Sequence, residues 1–102
     1  MTALSDREQE KLDAAVMRRL IEHLDANKDA QNIDLMILAG FCRNCLGKWY
    51  KAAADDMGIA VSDDDARARI YGMPYGEWKE KHQTPASAEQ LAAMEARHKA
   101  GK

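Results

Sequence analysis

Apolar residues recur at three- and four-residue spacing near the start of the chain: Leu12, Val16, Met17, Leu20, Ile21 and Leu24. At about 100° per residue they fill roughly half of a helical wheel, and Lys11, Arg18, Arg19, Glu22 and Asp25 fill the other half. Ser5-Asp6-Arg7-Glu8 stands before this run at capping-box spacing. The pattern predicts a helix from Ser5 to near Ala26–Lys28, laid on a core. A polar connection covers residues 25–32, and a second long helix is predicted from about Ile33 to Met57, with Gly58 as its left-handed stop. Ser62 and the three following aspartates suit the start of a third helix ending near Tyr71. Gly72-Met73-Pro74 makes a turn, and Pro74 opens a short fourth helix through about His82. Ser87 and Gln90 begin the last helix, which should carry Leu91 and Met94 inward. No segment alternates with period two. The expected fold is all-α, a single domain over residues 1–102 of two long helices and two or three short ones, with fraying at 1–4 and 99–102.

Composition narrows the function classes. The chain carries 15 Lys and Arg against 17 Asp and Glu, a net charge of −2, where a general nucleic-acid binder relies on excess base. No apolar run approaches the ~18 residues of a membrane span. Met1 to Asp6 lacks the basic stretch and apolar core of a signal peptide, so a cytoplasmic protein without nucleic-acid or membrane partners is expected. Asp25, Asn27 and Asp29 fall at positions one, three and five of a calcium loop. Ala30 then stands where glycine is needed and Met36 where a bidentate glutamate is needed, so the pattern fails.

The chemistry-bearing segment is Phe41-Cys42-Arg43-Asn44-Cys45-Leu46-Gly47-Lys48-Trp49-Tyr50. A C-x-x-C pair has three readings: redox pair, metal half-site or buried apolar residues. A redox pair belongs at a helix N-terminus, whereas a continuous helix from Ile33 places Cys42 more than two turns inside. Zinc needs further donors, which could be His23, His82 or His98, or the same cysteines of a second copy. Leu35, Leu38, Cys42, Cys45, Trp49 and Ala52 form one apolar seam, which favours core packing and argues against a thiol hydrolase using His82. Gly40, Arg43, Asn44, Gly47 and Lys51 fall on an opposite polar strip, where two glycines inside a helix cost about 0.8–1 kcal/mol each. Close approach of a neighbouring helix is the favoured compensation, with room for a bound group beside Arg43 and Asn44 as the other. All six aromatics lie between residues 41 and 78, half of them in Tyr71-Gly72-Met73-Pro74-Tyr75-Gly76-Glu77-Trp78, expected to fold onto the Cys-Trp helix.

The segments Gln31-Asn32-Ile33-Asp34-Leu35, Ala39-Gly40-Phe41-Cys42-Arg43-Asn44-Cys45-Leu46, Lys48-Trp49-Tyr50 and Tyr71-Gly72-Met73-Pro74-Tyr75-x-Glu77-Trp78-Lys79 resemble the short bacterial family catalogued as domain of unknown function 1244. The resemblance implies a helical protein of similar size and adds no reaction. No P-loop, dinucleotide turn, H-E-x-x-H or nucleophile elbow occurs, so a non-enzymatic module is expected, one that self-associates as a homodimer or binds a protein partner through the Cys-Trp helix and the aromatic turn. The alternative is a ligand or metal protein. In it Arg43, Asn44, Lys48, Tyr75 and Trp78 hold an anionic group, or Cys42, Cys45 and His82 hold zinc.

Overall fold

In a computed structural model, residues 3–100 are described, without the side chains of residues 99 and 100. Of the residues expected to fray, 1, 2, 101 and 102 fall outside them, residues 3 and 4 precede the first helix, and residues 99 and 100 close the last one. Six helices follow in order: α1 Asp6–Ala26, α2 Asn32–Ala39, α3 Arg43–Asp56, α4 Asp63–Tyr71, α5 Tyr75–His82 and α6 Ala88–Ala100. No strand occurs among the described residues.

The local signals for helix starts operate as expected. Glu8 N–H donates to Ser5 Oγ at 3.1 Å while the Glu8 carboxylate accepts from Ser5 N–H at 2.9 Å. Ser87 and Gln90 repeat that reciprocal arrangement at α6, and Ser62 Oγ accepts from Asp65 N–H at α4. Each satisfies donors that a helix start leaves without a partner.

The predicted second long helix is two helices. Gly40 adopts φ 76° and caps α2, the chain runs extended through Cys42, and α3 starts at Arg43. Helical periodicity continues across the break because two helices sharing one core each present an apolar face to it. The glycine supplies the left-handed conformation that stops α2 at little steric cost. Gly47, by contrast, lies inside α3 for packing reasons. A Cβ there would stand 3.1 Å from Arg67 Cγ and 3.5 Å from Arg67 Cα, so α3 and α4 approach closely at this point.

Ile21 and Leu24 of α1, Leu46 of α3 and Ile70 of α4 form the buried cluster, with Met17, Leu20, Leu35 and Phe41 packed against it. Burying each such side chain stabilises by about 1.5–3 kcal/mol. Only the C-terminal half of α1 joins this core. Leu12 is 52% exposed and Val16 68% exposed, so the expectation of a helix laid wholly on the core holds for its second half alone. The chain accordingly extends 48 × 33 × 26 Å, with a radius of gyration of 15.8 Å where about 13 Å is usual for this length. Leu91, expected inward, is half exposed on the flank of α6 that meets α2.

Candidate functional site

The break before α3 reorganises every residue around it. Arg43, expected on a polar strip, is the first residue of α3 and is only 1% exposed. Its Nη1 donates to Ala30 O at 2.7 Å and Asn32 Oδ1 at 3.1 Å, and its Nη2 donates to Asn27 O at 3.1 Å. The guanidinium also lies over the Trp78 ring, 4.9 Å from its centroid. Among the described residues no carboxylate pairs with it. Asn27 caps the C-terminus of α1, so the cation meets the negative end of that helix instead. Burial pulls the Arg43 pKa down from its ordinary value, but such a group remains charged at neutral pH.

A second set of polar contacts continues from it. Asn32 Nδ2 donates to the Tyr71 hydroxyl at 2.9 Å, and that hydroxyl donates to Asn44 Oδ1 at 2.8 Å. Burial pushes the Tyr71 phenol up to about 12. Gln31, also buried, spans the loop before α2 and the end of α5: its Nε2 donates to His82 O and Asp29 O, and its Oε1 accepts from Thr84 N–H. Trp78 is enclosed by Tyr71 edge-on at 4.9 Å and by His82 at 5.7 Å. The aromatic turn therefore does close onto the core. Arg43 and Trp78 are structural here and are closed to any ligand from solvent.

The remaining expected ligand residues do converge. Asn44, Lys48 and Tyr75 line an open cleft of about 410 Å³ between α3 and the α4–α5 corner, together with Gly47, Asp63 and Arg67. Arg67 stacks over Tyr75 at 5.2 Å and pairs with Asp64 at 3.0 Å, and its buried Nε has no hydrogen-bond partner. Sequence reading missed Arg67 because nothing local links α4 to the α3 strip; only the glycine at 47 signalled a close neighbour.

Cys42 and Cys45 stand at the very start of α3, Cys42 as its N-cap and Cys45 in the first turn. The premise that removed the redox reading is thereby overturned: Cys42 lies at a helix N-terminus, not two turns inside. The sulfur atoms are 4.0 Å apart, with Cys42 buried and Cys45 partly exposed. Burial pushes the Cys42 thiol up, while the backbone N–H groups of Cys45 and Asn44 pull it down in part. The apolar seam assigned to this stretch also changes character. Leu38 is 78% exposed and Trp49 58% exposed, the latter stacked on Phe41 at 6.0 Å. The His82 ring packs against Trp78, and no three His, Cys, Asp or Glu side chains gather as a metal-binding group among the described residues. Two adjacent thiols alone leave a structural zinc site two ligands short.

Over residues 30–96 the chain matches the model of a family described as "Protein of unknown function (DUF1244)". The chain belongs to the DUF1244 family. No curated protein matches it. Six of the positions that carried the resemblance, Gln31, Asn32, Arg43, Asn44, Tyr71 and Trp78, build the buried polar contacts of this DUF1244 chain. No described helix is long and apolar enough to cross a membrane.

Proposed function

We propose that this DUF1244 chain is a non-enzymatic, self-associating module whose partner is a second copy docked antiparallel along α1. The observation that carries the reading is the unpartnered apolar stripe on α1, where Leu12 and Val16 stand in solvent on the half that leaves the core. Exposed apolar residues that line up on one helix face mark an interaction site more strongly than scattered ones. Phe41 and Leu20 pack against the same core cluster, and Phe41 carries the exposed Trp49.

Charge supports a second copy as the occupant. Glu8 and Arg19 are eleven positions apart, hence about 20° apart on the wheel, on one flank of the stripe. The Leu12–Val16 pair and the Glu8–Arg19 pair share nearly the same midpoint along the helix. An antiparallel copy sets Leu12 against Val16 and Glu8 beside Arg19, twice by symmetry. Both charged side chains are exposed, and Arg19 makes no ion pair within the described residues.

Sedimentation equilibrium tests this. The wild type should be a dimer at micromolar concentration, and Val16→Glu should be a folded monomer with an unchanged melting temperature at low concentration. Arg19→Glu should weaken the dimer, and adding Glu8→Arg should restore it; Glu8→Arg also removes the carboxylate from the Ser5 cap, a loss read separately in the melting temperature at low concentration. A wild-type monomer up to hundreds of micromolar ends the reading; a dimer indifferent to Val16→Glu moves the interface elsewhere.

A second reading, binding of a small anion in the Asn44–Lys48–Arg67–Tyr75 cleft, is favoured by the unpartnered Arg67 Nε. Titration with inorganic phosphate, followed at the Arg67 Nε–H resonance, tests it; an unmoved resonance at millimolar phosphate counts against it.

A further inference from the structure

The self-association reading makes no use of the two thiols at the start of α3. We propose that Cys42 and Cys45 form a thiol–disulfide exchange site that closes to an intramolecular disulfide on reaction with a low-molecular-weight disulfide such as oxidised glutathione. The sulfurs are already in contact at 4.0 Å, and bond formation brings them to about 2.05 Å, a displacement within the reach of side-chain rotation. No other cysteine occurs in the chain to compete for either sulfur.

The two thiols have different access, and that sets the order of events. Cys45 is partly exposed on the face of α3 that also carries Lys48, three residues on. Cys42 is buried, and burial keeps it protonated at neutral pH. Cys45 is therefore the entry sulfur. Its thiolate attacks the external disulfide, forming a mixed disulfide and releasing the first small thiol. Cys42 then loses its proton to solvent and attacks the Cys45 sulfur, releasing the second small thiol. Two protein thiols are oxidised and one disulfide is reduced to two thiols, so the electrons balance. The N–H groups of Asn44 and Cys45 face the Cys42 sulfur and stabilise its thiolate as that step proceeds. The neighbouring Arg43 guanidinium, buried without a carboxylate partner, adds positive potential on the same side. A leaving thiol displaced by a sulfur held in contact meets a high effective concentration, which disfavours a persistent mixed disulfide.

The test is equilibration of the reduced wild type with glutathione at stepped ratios of oxidised to reduced form, followed by acid quench, alkylation and intact mass. The expected product is monomeric in chain covalency, two hydrogens lighter, with both thiols lost together and no adduct retained. Cys42→Ser should accumulate the glutathione adduct on Cys45, and Cys45→Ser should react about tenfold or more slowly than wild type. Retention of both free thiols at every ratio overturns the proposal, as does a stable adduct on the wild type or a disulfide between chains. None of these outcomes depends on whether α1 self-associates, since the readout is thiol chemistry and not mass in solution.

Discussion

Replacing Arg43 with Met is the sharpest probe of the polar interior. Met fills similar length, carries no donors and removes the buried charge. Ala30 O then loses its Arg43 donor at 2.7 Å, whereas Asn27 O keeps the Ala30 N–H at 3.1 Å and Asn32 Oδ1 keeps the residue-43 backbone N–H at 3.4 Å. A buried acceptor without a partner costs about 1–3 kcal/mol, and the contact with Trp78 contributes up to about 2 kcal/mol when desolvated. Removing a buried cation recovers part of its desolvation cost, which offsets some of this, so the net loss should be about 2 kcal/mol. In a domain whose stability is about 5–15 kcal/mol, that lowers the melting temperature by about 10 °C or more. Arg43→Lys keeps a cation but not the planar fork that spans two carbonyls, so it should fall between Met and wild type. Urea unfolding followed by helical ellipticity measures all three. If Arg43→Met unfolds within ~1 kcal/mol of wild type, or Lys is worse than Met, the claim that Arg43 clasps the α1 terminus to α3 is refuted.

Three further outcomes are expected. The Tyr71 phenol, at about 12 when folded and near 10 when unfolded, contributes stability that is complete below about pH 10 and lost as pH climbs toward 12. Stability should therefore drop by on the order of 2 kcal/mol across that window, and Tyr71→Phe should flatten the drop in pH-dependent urea titrations. Gly40→Ala forces a side chain into φ 76° with Arg97 Nη2 3.0 Å from the new Cβ, so it should cost about 1–2 kcal/mol by thermal denaturation; a neutral result would mean that α2 need not stop there. Ser62→Ala removes the hydroxyl that accepts from Asp65 N–H and should cost about 1 kcal/mol, measurable by calorimetry, with Ser62→Asp largely retaining the cap.

Local rules, acting within a few residues, were legible in the sequence. Capping boxes at Ser5–Glu8 and Ser87–Gln90, the Ser62 cap and the glycine stop at Gly72 each depend on groups three to five positions apart, and each determined an element boundary. The all-helical class followed from a period near 3.6, and so did the apolar side of α1. The tertiary structure decided the rest. A wheel cannot distinguish one helix from two that share a core, so the stop at Gly40 stayed hidden and with it the placement of Cys42 as a helix cap. Nor does a polar side chain on a wheel reveal that it will be buried. Arg43 is enclosed because Asn27, Ala30 and Asn32 arrive from another part of the chain with acceptors to offer, and Trp78 arrives from α5. Whether an apolar stripe is covered is likewise a matter of which neighbours reach it. The periodicity of α1 marked Leu12 and Val16 as apolar-face residues; only the packing of six helices left them uncovered.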